Sequence, residues 1–228
     1  MSSITNKHLP TIKVAAFSLL SALASSQSSA ILVSAVGDSF TINFDGLVDG
    51  LPQAGLTSSA AFTLTDISSD GAGGQNWAFD IALNNTSSAP ITRSRVTVLA
   101  FNSASGIDTA QSSTAGLFTT VSSGNMQDGV RSAGNFDVCF TSHGPGCTGY
   151  ADDGIGFGGS ALFSVVLNTD MPLNALDLTD FHVRYQAVLG TPYGRHGYGT
   201  VSEVPVPASV WLMGSALLGL ARIGRRPC

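Results

Sequence analysis

The chain has 228 residues, and its fifteen acidic residues outnumber its ten lysines and arginines, for a formal net charge of −5 at pH 7. All fifteen acids lie in residues 31–203, where five arginines are the only formal cations, so this stretch carries a net charge of −10. An acidic surface without lysine would repel a polyanion, which excludes nucleic acid as a partner. The stretch is long enough for one domain with a sizeable core and too short for two.

Residues 1–30 have the pattern of a secretory signal peptide. Lys7 and Lys13 give the start of the chain a positive charge, and residues 14–24 form a mostly apolar run. Small residues then offer two cleavage positions, after Ala24 or after residue 30. The pattern predicts export through the Sec translocon, and the alternative interpretation is a short buried helix.

Residues 31–189 alternate between apolar and polar side chains with a period of two, which is the pattern of half-buried β-strands. The apolar positions of the clearest stretches are Phe40, Ile42, Phe44, Phe62, Leu64, Trp77, Phe79, Ile81, Leu83, Leu162, Leu167, Phe181, Val183 and Tyr185. Clusters of glycine, asparagine, serine and aspartate separate these stretches. The sequence therefore predicts an all-β domain, an antiparallel β-sandwich that is jelly-roll-like or Ig-like.

The segments between the strands also carry expectations. Residues 77–83 and 96–101 are joined by a polar turn at 84–90, which predicts an antiparallel hairpin. Residues 102–135 are rich in serine, glycine, alanine and threonine and are expected to form long surface loops. Residues 190–203 contain four glycines and are expected to be a flexible spacer that lifts the domain off a membrane.

The sequence of residues 181–189 predicts a strand with one face exposed to solvent. His182, Arg184 and Gln186 alternate with apolar residues, so they are expected on the wet face of a half-buried strand. No acid or nucleophile pattern accompanies His182 or the domain's other two histidines. A plain surface histidine is therefore the interpretation for His182.

Two cysteines predict a disulfide. Cys139 and Cys147 are eight residues apart, with glycines and a proline between them, so the chain can turn back and bring the sulfurs together. In the chain-entropy model, closing so short a loop adds about 2–3 kcal/mol to the free energy of unfolding. Two free thiols are the alternative, and a zinc site is not expected because only His143 lies nearby.

No motif points to catalysis or to a cofactor. A Gly-x-Ser-x-Gly elbow is missing, so the domain is expected to be non-catalytic. A carboxylate pair brought together only by the fold stays open, which keeps a secreted hydrolase as an alternative. Asp152 and Asp153, and the stretch around Asp45 and Asp49, offer oxygen ligands for calcium, against the simpler interpretation as solvated turn residues.

Aromatic side chains bear on a further alternative, a secreted carbohydrate-binding module. Such a module needs exposed rings, but Trp77 alternates in phase with apolar neighbours and is expected in the core. Tyr150, Tyr193 and Tyr198 remain as candidates.

The last segment, residues 204–228, predicts a single membrane-spanning helix. Pro205 and Pro207 cannot lie inside a helix, so the helix is expected to begin near residue 208. The uncharged residues 208–221 would span about 21 Å, somewhat less than the ~30 Å hydrocarbon layer. A basic stop follows and is expected on the cytoplasmic side, formed by Arg222, Arg225 and Arg226. The alternative is a buried C-terminal helix.

The order of these parts, Val-Pro-x-Pro-Ala-Ser-x-Trp-Leu, a small-residue apolar run and then Arg-Arg, resembles the PEP-CTERM sorting signal of Gram-negative bacteria. The resemblance implies recognition by an exosortase, transient membrane anchoring by the helix, and a link to exopolysaccharide and biofilm. The sorting motif it marks is Val204, Pro205, Val206, Pro207 and Ala208. Val206 replaces the family's glutamate, as in its Val-Pro-x-Pro variants, and the Pro-Cys ending is unusual.

The domain itself is similar to the cistern group of PEP-CTERM proteins. The similarity lies in residues 36–46, in residues 181–186 and around the cysteine loop, and it implies no established activity. Together the resemblances imply a non-catalytic protein that is exported across the inner membrane to the cell surface or extracellular matrix, with polysaccharide as a partner.

Overall fold

The computed structural model describes residues 30–112, 116–127, 131–144 and 146–202. Within these ranges the chain forms twelve β-strands and no helix. The strands are β1 Ile31–Val33, β2 Ser39–Val48, β3 Leu51–Ser69, β4 Gln75–Asn85, β5 Arg93–Asn102, β6 Thr109–Ser112, β7 Thr120–Gln127, β8 Ser132–Thr141, β9 Ile155–Gly156, β10 Ser160–Thr169, β11 Leu176–Leu189 and β12 Gly197–Val201. The all-β prediction is confirmed, and the two expected terminal helices lie outside the described residues.

All strand pairings are antiparallel. The strands follow the order β6-β10-β4-β3-β2-β12-β11-β5-β8-β7, with β1 paired to β11 and β9 paired to β5. The long β11 therefore has neighbours along most of its length, and the C-terminal β12 lies inside the sheet between β11 and β2.

The sheet folds back so that distant strands pack face to face. The ring centroids of Phe62 on β3 and Phe101 on β5 lie 6.2 Å apart, although β2, β12 and β11 separate these strands in the sheet. Phe140 on β8 and Phe163 on β10 lie 5.8 Å apart. The inward faces thus share one aromatic core, in which Trp77 is fully buried as predicted.

The expected hairpin between β4 and β5 is wrong. β4 pairs with β3 and β10, whereas β5 pairs with β11, β8 and β9. A buried polar network occupies the connection instead: Asn85 Nδ2 donates to Ser94 Oγ at 3.0 Å and to the Ile155 carbonyl at 3.1 Å, and Asn85 Oδ1 accepts from the Ser87 amide. These bonds satisfy the buried groups where the chain passes from one part of the sheet to another.

The expected surface loops at 102–135 are also wrong in part. This stretch contains β6, β7 and the start of β8, and Phe118 and Met126 within it are fully buried. Its strands are rich in serine, threonine and glycine, so they lack the clear alternation of apolar and polar residues from which a strand is predicted.

The expected spacer at 190–203 is wrong where it forms β12. Gly197 lies opposite Val48 and Tyr185, and both Gly197 and Gly199 are buried. A Cβ built on Gly199 would lie 2.7 Å from Val183 Cγ2 and 2.9 Å from Tyr185 Cε2. The glycine permits close packing rather than flexibility.

Replacing Gly199 with alanine tests the place of β12 in the sheet. We expect Gly199→Ala to lower the free energy of unfolding by about 1–3 kcal/mol, because the added methyl group overfills a packed site. Urea denaturation of the variant measures this. Gly156→Ala is the matched control, since a Cβ there meets no atom within 4 Å. Equal stability of Gly199→Ala and the parent chain would contradict the buried position.

Candidate functional site

The two ends of the described chain lie close together on β11. Thr200 of β12 pairs with His182, and Ile31 of β1 pairs with Leu178. Four residues of a strand span about 13 Å. Residues 1–29 and 203–228 therefore join the domain at one region of β11. The sorting motif at 204–208 and the basic stop Arg222, Arg225 and Arg226 lie outside the described residues.

This region belongs to an end of the domain where aspartates collect, here called the acidic end. Its members are Asp38, Asp66, Asp70, Asp108, Asp137, Asp170, Asp177 and Asp180. Asp38 accepts from the Ser34 and Ala35 amides, both at 2.9 Å, and these bonds hold the pKa of its carboxyl below the usual value. Asp177 accepts from the Ser103 hydroxyl and from Ser105. At least these two carboxylates therefore organise turns.

The structure shows no metal-binding cluster among the described acids. The described ranges contain no group of three or more histidine, cysteine, aspartate or glutamate side chains placed to hold a metal ion. Asp49, one of the calcium candidates, accepts a hydrogen bond from the Gly194 amide at 3.1 Å and so fixes the β11–β12 connection. Two surface depressions of about 310 and 260 Å³ are lined by residues of the 105–110, 121–123, 137–138 and 170–171 stretches, which supply carboxylates and hydroxyls but no histidine.

The expected solvent face of β11 is covered. Arg184 is only 8% exposed and Gln186 only 3%. The Gln186 side chain donates to the Thr148 carbonyl at 2.6 Å and the Gly149 carbonyl at 3.2 Å. The prediction was wrong because the segment after β8 folds back over this face, which the local alternation does not reveal.

A second, smaller core is formed by residues of β5, β7, β8 and the segment that follows β8. Its buried members are Val98, Ala100, Met126, Phe136, Cys139 and Cys147. The centroid of the His182 ring lies 4.9 Å from that of Phe136 and 6.2 Å from that of Tyr198. His182 is therefore half-buried rather than a plain surface residue. Tyr198 is itself partly buried against this core.

The predicted disulfide between Cys139 and Cys147 is present and buried, with the two Cα atoms 5.4 Å apart. Two further bonds anchor the loop that it closes: the Ser142 amide donates to the Thr97 carbonyl at 3.0 Å, and the Thr141 hydroxyl donates to the Gly144 carbonyl at 3.2 Å. The disulfide therefore fixes the segment that covers β11.

The opposite end of the domain holds three arginines, of which Arg95 is partly buried, and three exposed aromatic rings, here called the arginine end. It consists of Arg93, Arg95, Tyr150, Phe157, Tyr193 and Arg195. Arg93 pairs with Leu189, the last residue of β11, and Arg95 pairs with Gly156. Tyr150 and Tyr193 were candidates from the sequence. Phe157 was missed, because a lone phenylalanine among glycines resembles loop sequence.

Comparisons with family models, with curated proteins and with solved structures each found no match to this chain. In the part of the chain that the structure describes, no helix is long and apolar enough to cross a membrane.

The partial burial of His182 predicts a pH dependence of stability. Burial lowers the pKa of the ring below its usual value, while the carbonyl of Asp180, which accepts from Nδ1 at 3.0 Å, and the charge of Asp180 act in the opposite direction. With a lowered pKa, the unfolded chain takes up the proton first as the pH falls below about 6.5. The stabilising contribution of the neutral ring is thus present at pH 7 and is lost as the pH falls toward the folded-state pKa.

We expect the free energy of unfolding of the parent chain to fall between pH 7 and pH 5, and His182→Gln to reduce that fall. Urea denaturation at each pH measures it, and His143→Gln, at an exposed ring, is the control that should keep the parent profile. An unchanged pH profile in His182→Gln would contradict this role.

Proposed function

We propose that the chain is an exported, non-catalytic surface or extracellular-matrix protein that an exosortase processes at its C-terminal sorting motif. The observation that carries the proposal is the buried disulfide between Cys139 and Cys147. Disulfides persist in oxidising compartments and are rare in the cytosol. The bond thus fits a domain that a signal peptide at 1–30 sends across the inner membrane of a Gram-negative cell, as the sorting-signal resemblance implies.

The positions of the chain ends support this route. Both Ile31 and Val201 lie at the acidic end, so a leader and a tail would hold the domain from the same side. In the proposal the C-terminal helix anchors the chain only transiently, and Val204–Ala208 is presented for cleavage in front of it. The opposite end of the domain then faces away from the membrane.

The finer architecture that we propose is a β-sandwich, jelly-roll-like or Ig-like. Antiparallel strands that pack their inner faces together around aromatic residues support it, as in the contact between Phe62 on β3 and Phe101 on β5. The loops of such domains cluster at the two ends, where functional residues are commonly found.

A second candidate function is a secreted carbohydrate-binding module on the same export route. It is favoured by one observation, the grouping of Tyr150, Phe157 and Tyr193 as exposed rings at the arginine end. The two functions are compatible, because a matrix protein must bind the matrix polymer.

Mass spectrometry of the mature protein tests the sorting proposal. In a host with an exosortase we expect the exported chain to end within Val204–Ala208, and in a host without one to end at Cys228. Pro205→Ala/Pro207→Ala should remain uncut, whereas Pro52→Ala, at an exposed proline in the domain, should be processed like the parent. An exported chain that still ends at Cys228 beside an active exosortase would sink the proposal.

A further inference from the structure

We propose that the arginine end is a binding surface for a polysaccharide chain. The inference deepens the proposed matrix role, on which it rests for the presence of the polymer outside the cell. It assigns the contact to six residues: Arg93, Arg95, Tyr150, Phe157, Tyr193 and Arg195.

The aromatic rings are the first argument. Tyr150, Phe157 and Tyr193 are 51%, 45% and 44% exposed, and they are the large aromatic side chains that the described residues leave exposed. Phe157 follows Gly156, the partner of Arg95, and Tyr193 follows the last residue of β11, while Tyr150 lies in the segment that contacts β5 at Thr97 and Arg95. An exposed ring offers a flat apolar face with a polar edge, and the C–H face of a pyranose ring is its natural complement.

The strand order spreads these groups into a row. Phe157 follows Gly156, which pairs with Arg95 on β5, and β5 in turn pairs with β11. Tyr193 lies in the connection from β11 to β12. Neighbouring strands lie about 4.8 Å apart, so the row extends roughly 15 Å across the end of the sheet. An extended polymer fits such a row better than a compact small molecule does.

Hydrogen-bonding groups of both kinds flank the rings. Arg93 and Arg195 are exposed and offer guanidinium donors, while Asp49, Asp152 and Asp153 supply acceptors nearby. Arg131 also reaches this region, because its side chain lies beside Gly50 in the turn from β2 to β3. The mixture of donors and acceptors suits sugar hydroxyls, which both donate and accept.

The surface is held in place without a ligand. The Arg95 Nη1 atom donates to the Gly154 carbonyl at 3.1 Å, and the Asp153 amide donates to the Tyr150 carbonyl at 3.2 Å, which fixes the turn that carries Tyr150. The Val188 amide donates to the Arg195 carbonyl at 3.0 Å. A preformed surface loses little conformational entropy on binding.

The position on the domain also fits. Ile31 pairs with Leu178 and Thr200 with His182, so the two ends of the described chain lie eleven and seven residues, or about 36 and 23 Å along the strand, from Leu189 at the arginine end. A domain tethered through its acidic end would thus present the arginine end to the surrounding polymer.

Binding of the full chain, purified in detergent, to three polymers tests the inference by isothermal titration calorimetry. The probes are polygalacturonate, a neutral β-glucan and polyglutamate. We expect saturable binding to at least one of the two polysaccharides and none to polyglutamate. Tyr193→Ala and Tyr150→Ala should each weaken the binding about tenfold, and Arg93→Gln should weaken it as well. Leu162→Ala, at a 71% exposed residue of β10, is the control that should bind like the parent.

Equal binding of polyglutamate, binding to neither polysaccharide, or full affinity in all three variants would overturn the inference. Thermal melting confirms that each variant is folded, and Arg93→Gln keeps the test decisive if a tyrosine variant unfolds. The assay does not depend on C-terminal processing. A correctly cut chain that binds no polysaccharide would contradict only the binding surface proposed here. An uncut chain that binds a polysaccharide would contradict only the sorting proposal.

Discussion

The strand β11, residues Leu176–Leu189, is the constraint on which the rest of the domain depends. It pairs with β1 and β12 and, along its length, with β5. Its register against β5 shifts at three places, and Asp180 and Ala187 have positive φ values of 50° and 51° near two of them. Bulges of this kind break the strict alternation of faces. Arg184, Tyr185 and Gln186 are consequently buried in succession.

Burial on both faces of β11 explains the role of the disulfide. The inward face contributes Tyr185, whose hydroxyl donates to Ser58 at 2.7 Å and whose pKa burial raises above the usual value. The outward face carries Arg184 and Gln186, which would be exposed to solvent if no other segment covered them. The segment directly after the disulfide loop covers Gln186, since the Thr148 and Gly149 carbonyls accept from its side chain, and the bond between Cys139 and Cys147 anchors that segment. Closing the loop stabilises the fold by lowering the conformational entropy of the unfolded chain.

The sequence allowed the strand content, the core position of Trp77 and the disulfide to be predicted, because each depends on local alternation or on near neighbours. Pairing was less predictable. The crossing from β4 to β5 depends on Asn85, whose partner Ile155 lies seventy residues away. The glycines of β12 led to the wrong prediction of a flexible spacer, because Gly199 permits close packing rather than mobility. At the arginine end, Tyr150 and Tyr193 were visible as candidates, but only the fold brings Phe157 and Arg93 to their side.

The central claim is that the chain ends leave one end of β11 and the arginine end lies at the other. Distances between paired nitroxide labels, measured by pulsed electron resonance in a chain carrying Cys228→Ser, test it most directly. Labels at Leu32 and Val201, both exposed, should lie within about 25 Å of each other, and labels at Leu32 and Tyr193 should lie about 30–40 Å apart. A Leu32–Tyr193 distance as short as the Leu32–Val201 distance would contradict the account.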